Sequence, residues 1–496
     1  MKTVIANKSY LLVAIVLLAF FLRFWQLGQN PPGLYVDEVS LGYNAYSILK
    51  TAHDEYGNFM PLVFRSLNTY NPALSVYTLV PSIAAFQLNE FAVRFPSALA
   101  GTLTVLLTYF LTYHLFKKRN IAQVASLLLA ISPWHLQFSR FYHEVNIMVF
   151  FSILGLVLLF YSFKKHYLVY LSAISFGIAA NTFHGAKLWI PLFLFVILIF
   201  YNREIFKFGK KLIIALLILA VFSLPTILNF QNSLVRPNSV SIFKEKKPQE
   251  TFISGYLSHF SPNFLFMQGD FMGRHAVPGM GELYIFELPL ILIGLFNLVR
   301  QKNRTAKFLL AWFLIAPIPA ALAAPTPHAG RALVFLPLWQ IIAAFGAYSL
   351  WQIKIAKYTK SIALVLLALV AIYNIATYFH LYYKHYSKEK APDWSDGHKQ
   401  MVQYIGQVYN GYDSIAITKY YGYPYIYLLF YLKYDPVKYQ PQSENKDAFD
   451  KFHFYSGVLP RTFGKTLVIT TPQPNAQNVI KQIKMNNGDT VFVAQN

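Results

Sequence analysis

The sequence predicts an all-α polytopic membrane protein that ends in a small external α/β domain. Of the 496 residues, 55% are hydrophobic and 13% are charged, whereas soluble domains contain about 25% charged residues. Apolar runs long enough to cross a hydrocarbon core of about 30 Å recur from Tyr10 to Tyr378. These runs lack the alternation of barrel strands, so we expect helical spans. After Tyr378 the chain becomes polar and aromatic.

The apolar runs predict about eleven transmembrane helices. The first run follows Lys2 and Lys8, and no small-residue cleavage site comes after it. We therefore expect an uncleaved signal anchor rather than a signal peptide. The predicted spans are 9–27, 91–115, 121–137, 146–163, 167–183, 188–202, 212–230, 284–299, 308–323, 332–350 and 361–379.

The orientation follows from the positive charges. The formal net charge is +22, and five short breaks between apolar runs are basic. Such breaks face the cytoplasm under the positive-inside rule, which places the N-terminus there too. The charge therefore indicates topology rather than nucleic-acid binding. The five breaks are Lys117-Lys118-Arg119, Lys164-Lys165, 203–211, 300–307 and 354–360.

Two long loops, 28–90 and 231–283, are predicted to be external. The first contains a predicted amphipathic interfacial helix with apolar residues at helical spacing. A second apolar stretch, 72–88, is interrupted by Pro81, so we expect an interfacial or re-entrant segment. Because the chain has no cysteine, these loops hold no disulfides, and the redox compartment is undetermined. The apolar face of the first helix comprises Val36, Val39, Tyr43, Tyr46 and Leu49.

The polar C-terminal stretch predicts a separate domain. Strand-like segments lie at 414–418 and 466–470, and a helical segment lies at 398–408. We therefore divide the chain into a membrane-embedded domain, 1–385, and an extracytoplasmic α/β domain, 386–496.

Ionisable residues near the predicted external ends of helices indicate chemistry, because a charge inside a membrane costs about 2.5–3.5 kcal/mol. Arginine binds phosphate through paired N–H groups, and a carboxylate can take the proton of an attacking hydroxyl. Together they suit a site for an anionic, phosphate-bearing substrate. The set comprises Asp37, Glu38, Arg94, Arg140, His143, Glu144, His184, Lys187, Asp270, Arg274, His275, His328 and Arg331.

Each of these residues also has a simpler explanation. Acids in the first turn of a helix offset its dipole, which stabilises it by about 0.3–1 kcal/mol. Arginines at the membrane edge snorkel to the interface. His184 and Lys187 are compatible with helix-end caps, and 325–331 is compatible with a tight turn. The Gly-rich loop 269–281 lacks the spacing of a phosphate-binding motif.

No ligand spacing indicates a structural metal site. Asp37, Glu38, Glu144 and His275 nevertheless offer oxygen and nitrogen ligands to a divalent cation. A divalent metal therefore stays an open alternative as a cofactor.

Several segments together resemble a known family. They are Asp37-Glu38, 89–98, Ser132-Pro133, Ser139-Arg140 with Glu144, 181–187, Gly273-Arg274-His275 leading to Glu287-Leu288-Pro289, and 327–331. Over residues 10–380 the chain resembles the polyprenyl-phosphate-sugar-dependent glycosyltransferases of the membrane C-type superfamily. It is most similar to the group of protein O-mannosyltransferases and lipid A aminoarabinose transferases. Relatives often carry Asp near Glu144 and differ at Lys187, and the tail 386–496 has no match.

The resemblance implies inverting transfer of a monosaccharide from a polyprenyl-phosphate donor to an acceptor hydroxyl, outside a bacterial inner membrane. It implies that Asp37 is the base, and that Glu38 and Glu144 position acceptor or cations. The implied partners are the lipid-linked sugar and membrane lipid, with the acceptor unspecified and no nucleic acid. The residues expected at the donor phosphate are Arg94, Arg140, Lys187, Arg274, His275, His328 and Arg331.

Two other classes of function are compatible with the same residues. A cavity lined with cations would also suit a transporter of lipid-linked sugars or polysaccharide, and a scaffold would not need Asp37. Transporters usually contain internal repeats and broken helices at the bilayer midplane. The sequence shows no repeat and places its charges at the external side, which favours the enzyme.

Overall fold

The computed structural model describes residues 2–495 except 68, 354–355, 458, 460–463, 473–477, 487 and 489. The predicted basic break at 354–360 therefore lies partly outside the described residues. The first helices are α1 (Lys2–Phe24), α2 (Val36–Thr51), α3 (Ala73–Tyr77), α4 (Val80–Phe86), α5 (Glu90–Phe116), α6 (Arg119–Ile131), α7 (Pro133–Ser139), α8 (Glu144–Ser162), α9 (Leu168–Ala180), α10 (Ala186–Phe206) and α11 (Lys210–Leu228).

The later helices begin with a short segment in the second long loop. They are α12 (Phe230–Val240), α13 (Pro248–Ser258), α14 (Glu287–Arg300), α15 (Arg304–Ile315), α16 (Ile318–Ala321), α17 (Leu338–Gln352), α18 (Lys357–His380), α19 (Ser387–Glu389), α20 (His398–Val408), α21 (Pro424–Tyr431) and α22 (Pro436–Tyr439). The strands are β1 (Val63–Ser66), β2 (Thr69–Pro72), β3 (Ser414–Thr418), β4 (Ala448–Phe449), β5 (Phe452–Tyr455), β6 (Thr466–Thr470), β7 (Val479–Lys484) and β8 (Thr490–Gln495).

Seven helical segments of the described chain are long and apolar enough to cross a membrane. The predicted spans 167–183 and 284–299 are shorter in the structure: α9 has 13 residues and α14 has 14. At 1.5 Å per residue such helices cover only about 20 Å. The seven segments are Glu90–Phe116, Glu144–Ser162, Ala186–Phe206, Lys210–Leu228, Arg304–Ala321, Leu333–Gln352 and Tyr358–Glu389.

The predicted span 121–137 is a broken pair of helices. Helix α6 ends before Ser132, and α7 starts at Pro133 with its axis turned by 58°. Proline has no N–H to continue the α6 ladder, and it disfavours helical backbone at the residue before it. Ser132 accepts a hydrogen bond from the backbone N–H of His135, at 3.4 Å, and so caps α7. Counted as one span, this pair would be the eighth.

The chain forms two compact units. The first comprises Met1–Trp25, Thr69–Ser75 and Pro96–Tyr382. Helices α14 and α17 pack together within it, and so do α8 and α9. A Cβ at Gly346 would meet the Leu290 carbonyl oxygen, so a glycine is needed for this close helix approach.

The second unit comprises Gln26–Asn68, Val76–Phe95 and Tyr383–Asn496. It combines the tail with most of the first long loop, whereas the sequence predicts a boundary at 385. Helix α2 is present as predicted, but it packs on α4 and α21. Its residues from Glu38 to Ala45 are all buried, so the predicted one-faced interfacial helix is wrong.

A six-stranded sheet lies in the second unit, with the order β4-β5-β3-β6-β8-β7. Strand β3 pairs in parallel with β5 and β6, and the outer pairs are antiparallel. All five residues of β3 are buried, which is typical of a central parallel strand covered on both faces. The structure thus contains the predicted strands 414–418 and 466–470 and the predicted helix 398–408.

Candidate functional site

The predicted acidic pair lies in the first turn of α2, and its two members have different environments. Asp37 is exposed, whereas the Glu38 side chain is fully buried. Glu38 Oε2 accepts the backbone N–H of Tyr35 at 3.1 Å, which satisfies a free donor at the helix start. Glu38 Oε1 lies 3.1 Å from Arg94 Nε. Glu38 thus fixes the start of α2, and Asp37 beside it is exposed.

Arg94 uses its whole guanidinium group inside the second unit. Nε and Nη2 bond to the Glu38 carboxylate, Nη1 bonds to the carbonyls of Leu27 and Pro31, and Nη2 also bonds to Gly33. An arginine has five N–H donors, and these five acceptors use them all. We therefore assign Arg94 to positioning the acidic pair, and its predicted contact with donor phosphate is not supported.

A glycine allows this arrangement at the loop before α2. The Gly33 carbonyl accepts from Arg94, and a Cβ at Gly33 would meet the backbone carbonyl of Trp394. The Arg94 guanidinium also lies 5.6 Å from the centre of the Trp394 ring, close enough for a cation–π contact. The loop that leads to Asp37 is therefore held by contacts with the C-terminal segment.

Arg140 is also buried, and it closes the end of α1. Its Nη1 donates to the Leu22 and Arg23 carbonyls at 2.7 and 3.3 Å, and Nη2 donates to the Trp25 carbonyl at 2.7 Å. Nε donates to the Tyr382 hydroxyl at 2.9 Å. These carbonyls lie in the last turn of α1 or just beyond it, where a helix lacks its own donors. The predicted contact of Arg140 with donor phosphate is therefore not supported.

Glu144 begins α8 beside His143. His143 Nδ1 lies 3.1 Å from Glu144 Oε2, and the two side chains are 20% and 15% exposed. The His143 ring is 6.1 Å from the His275 ring. The structure thus brings Glu144 into the same neighbourhood as the predicted histidine at 275.

Three buried side chains from two loops form a compact cluster. His275 Nδ1 lies 2.9 Å from Asp270 Oδ2, and the rings of His275 and His328 are 4.8 Å apart. Burial, and then the charge of Arg274, holds the pKa of His275 well below its usual value. His275 is therefore a neutral imidazole that donates its Nδ1–H to Asp270.

Asp270, His275 and His328 also fulfil the distance requirement for a metal centre, with one possible ligand atom from each within 4.8 Å of the others. Their hydrogen bonds already use most of these atoms. Asp270 accepts from the backbone of Met272 and Ala329 at 2.9 and 2.7 Å, and His328 Nδ1 accepts the Arg331 N–H at 3.2 Å. A neutral His328 then carries its proton on Nε2 and has no free lone pair. In this arrangement the cluster fits a polar network that makes its hydrogen bonds within the protein better than it fits a bound metal ion.

Further bonds fix the loop that carries His328. The His328 backbone N–H donates to His259 Nε2 at 3.2 Å, and His259 Nδ1 lies 2.7 Å from the Gly255 carbonyl. The Trp134 indole donates to the Ala329 carbonyl at 3.1 Å. The segment 327–331 is therefore a rigid part of the first unit, and the tight-turn explanation holds for its backbone.

Three cations of the first unit keep donors available. Arg331 Nη1 bonds to the carbonyls of Ala323 and Pro325 at 2.6 and 3.2 Å, while its Nε and Nη2 have no acceptor among the described residues. The side chains of Lys187 and Arg236 have no hydrogen bond or ion pair within the described part of the chain. The predicted Arg274 has its backbone carbonyl bonded to Gln137 Nε2 at 2.7 Å.

Arg236, in α12, is absent from the predicted set. Burial, and then the charge of Arg236, lowers the pKa of Arg331 to about 10. Burial, and then Lys187, lowers the pKa of His184 to about 4, with a smaller contribution from Arg236. Arg236 therefore lies near Arg331 and His184. The signal that could have found it is an arginine in a loop predicted to be external, against the positive-inside trend.

The predicted residues fall into two groups, one in each compact unit. Asp37, Glu38 and Arg94 belong to the second unit, and the remaining predicted residues belong to the first. Convergence of the two groups into one pocket stays a prediction.

Comparison with known proteins finds a match to one family model over part of the chain. Residues 13–231 match the model of the family "PMT: Dolichyl-phosphate-mannose-protein mannosyltransferase", which confirms the predicted resemblance. The "Putative mannosyltransferase YkcB" of Bacillus subtilis (strain 168) is 31% identical over 219 residues, 43% of this chain. The match covers 29% of the length of that relative. The family match lies in the N-terminal part of the chain, which is similar in sequence to proteins of that family.

The fold is similar to that of solved structures of ArnT and AglB. ArnT from Cupriavidus metallidurans in the apo state matches with a TM-score of 0.61 and 14% identity, covering 99% of this chain and 98% of ArnT. Its complex with undecaprenyl phosphate gives 0.58 and 14% identity, with 98% of both chains covered. The oligosaccharyltransferase AglB from Archaeoglobus fulgidus, with an inhibitory peptide and a dolichol-phosphate, gives 0.53 and 14% identity over 85% of this chain and 63% of AglB. At these identities the similarity shows a shared fold.

Proposed function

We propose that this chain transfers a monosaccharide from a polyprenyl-phosphate donor to an acceptor hydroxyl, with inversion, at the outer face of a bacterial plasma membrane. The family domain supports glycosyl transfer. The solved relatives of the same fold bind undecaprenyl phosphate or a dolichol-phosphate, which supports a lipid-linked donor. The acceptor is a hydroxyl of a protein, lipid or glycan.

The observation that carries the proposal is the environment of Asp37. Its neighbour Glu38 is fixed by Arg94 and by the Tyr35 backbone, while Asp37 itself is exposed. A general base must reach the proton that it accepts, on a support that holds its position. The buried ion pair is that support.

In the proposed reaction Asp37 accepts the proton of the acceptor hydroxyl. The hydroxyl oxygen forms a bond to the anomeric carbon as the bond from that carbon to the phosphate oxygen breaks. The electron pair leaves with the polyprenyl phosphate, and attack from the opposite side inverts the anomeric centre. No step passes through a metal ion.

Cations stabilise the negative charge that develops on the leaving phosphate. Lys187, Arg236 and Arg331 are the proposed contacts, because the side-chain donors of Lys187 and Arg236, and Nε and Nη2 of Arg331, have no acceptor within the described chain. Arg274, His275 and His328 then support the site from the loops that hold Arg331, and Glu144 orients His143. Arg94 stabilises the start of α2, and Arg140 stabilises the end of α1.

The test is an Asp37→Asn variant in reconstituted vesicles, supplied with a panel of polyprenyl-phosphate sugars and assayed by product mass. General-base catalysis contributes about 10²–10⁴-fold, and we expect a loss of that size. Asp435→Asn is the matched control, because Asp435 is an exposed carboxylate at the start of α22. If Asp37→Asn turns over like the parent, the base assignment is wrong. Sugar-lipid flipping by both proteins without transfer would favour a transporter.

A further inference from the structure

A cavity of about 240 Å³ lies within the second unit, beside the carboxyl ends of two parallel strands. Lys419 lines it and follows β3 directly, and Phe454 lines it from β5. Between β3 and α21 the chain contributes Gly422 and Tyr423. Ligands of parallel sheets bind outside the carboxyl ends of the strands. The cavity therefore has the position of a ligand site.

Three of the eight residues that line the cavity are aromatic. Tyr423, Tyr425 and Phe454 contribute rings, and Leu67 adds an aliphatic side chain. Tyr423 is 39% exposed, so its ring is accessible from solution. The electron-rich face of an aromatic ring attracts the polarised C–H groups on one side of a sugar ring. These walls suit a saccharide.

Two lysines are the charged groups of the lining. Lys446 Nζ lies 4.3 Å from the ring centres of Tyr56 and Tyr425 and donates to the Tyr439 hydroxyl at 3.0 Å. Such contacts hold an ammonium group in place. Its carboxylate neighbour, Glu55, is 3.8 Å away and buried. No carboxylate lines the cavity among the described residues, so the lining favours an anion.

Lys419 is slightly the more exposed of the two cations, since the Lys446 side chain is 28% exposed. The Lys419 side chain is 33% exposed, and it pairs with Asp447, whose side chain is 77% exposed. Exposed ion pairs contribute only about 0–1 kcal/mol. An anionic ligand in the cavity can therefore replace Asp447 as the partner of Lys419 at little cost.

We propose that this cavity binds one saccharide unit bearing a carboxylate or a phosphate, with the ring on the aromatic wall and the anion at Lys419 and Lys446. Its volume lies just below the range of about 300–1,000 Å³ for drug-sized ligands, which fits a single sugar ring. Only the view that this bound saccharide is part of the acceptor rests on the proposed function. The binding of the saccharide to the cavity does not depend on it.

The test measures binding of glucuronate, glucose 6-phosphate and neutral glucose to the full chain in nanodiscs, by saturation-transfer NMR and competition. We expect the anionic sugars to bind, with glucose at least about tenfold weaker. The stronger of the two anionic probes identifies the substituent. Lys419→Gln and Tyr423→Ala should each weaken binding about tenfold. Equal binding of glucose, or no saturable binding of either anionic probe to the parent, overturns the proposal.

Two variants control for folding. Tyr420 is 77% exposed and Lys438 is exposed, and neither lines the cavity. Tyr420→Ala and Lys438→Gln should bind the probes like the parent, and an equal loss in them overturns the proposal. Asp37→Asn should also bind normally. If the probes bind but no donor supports transfer, only the proposed function fails; if transfer occurs without probe binding, only the cavity assignment fails.

Discussion

Glu38 and Arg94 form a fully buried ion pair, with Arg94 Nε 3.1 Å from Glu38 Oε1. The pair joins the first turn of α2 to the first turns of α5, although the two residues are 56 positions apart. Burying two charges is costly, and the cost is offset only when both keep their partners. The position of Asp37 therefore depends on an ion pair whose disruption would strongly lower the stability of the fold.

We expect Arg94→Met to lower the free energy of unfolding by about 3–5 kcal/mol, because it leaves the Glu38 carboxylate buried without its partner. The double variant Glu38→Leu/Arg94→Met should recover part of this loss, because no charge then stays buried. Chemical unfolding in mixed micelles measures both.

The exposed pair Arg65–Glu444 is the matched control, with side chains 41% and 72% exposed. Arg65→Met should cost less than about 1 kcal/mol. Similar losses for the exposed and buried pairs would contradict the structural role of Arg94.

Arg140 and Arg331 should respond differently to substitution. Arg140→Leu removes hydrogen bonds to three carbonyls at the end of α1, and bonds to charged groups contribute about 1.5–3 kcal/mol. We expect lower stability and an unchanged donor KM in the surviving folded protein. Arg331→Leu should raise donor KM about tenfold or more, because it removes free donors from the phosphate site.

Steady-state kinetics with the active donor, beside thermal unfolding of each variant, separates these effects. A donor KM that rises for Arg140→Leu but not for Arg331→Leu would reverse the two assignments.

Local patterns were sufficient for the C-terminal elements. The strand 414–418 and the helix 398–408 are formed by residues adjacent in sequence, and both have the predicted bounds. Most long apolar runs are likewise helices of spanning length. The broken helix at Ser132–Pro133 shows the limit of hydropathy, because proline interrupts the backbone within an apolar run.

The sequence indicated which residue types to expect in the candidate site, but not which groups each of them would bond to. The sequence picks out Glu38, Arg94 and Arg140 as unusual charges, but their hydrogen-bond partners include backbone groups and residues far along the chain. The same holds for His275 and His328, which meet through the fold. Which cations keep free donors depends on such contacts, so the sequence could not distinguish Arg331 from Arg94.

Stability in the second unit should depend on the protonation of Glu55. Burial raises the pKa of Glu55 above its ordinary value of 4.5. Above pH 4.5 the folded state then binds more protons than the unfolded state, so stability is lost as pH rises towards the folded-state pKa. In Glu55→Gln this loss is absent, and the Tm of the variant relative to the parent should increase with pH over that interval.

Glu444→Gln is the control, because Glu444 is exposed and should show no such trend. Differential scanning fluorimetry between pH 4.5 and neutrality gives the comparison. A difference in Tm that decreases with pH would contradict the raised pKa of Glu55.

Glycosyl transfer should not depend on a divalent metal. In the cluster of Asp270, His275 and His328, Asp270 Oδ2 and His328 Nδ1 already accept hydrogen bonds from protein groups, so the cluster lacks a full set of free ligand atoms. Extensive dialysis against EDTA should leave the transfer rate within about twofold of the untreated protein, where a tenfold change would correspond to about 1.4 kcal/mol of barrier. His328→Gln, which can still accept the Arg331 N–H, should keep most of the activity. A loss on chelation that Mn²⁺ or Zn²⁺ restores in the parent but not in His328→Gln would establish a metal centre at this cluster instead.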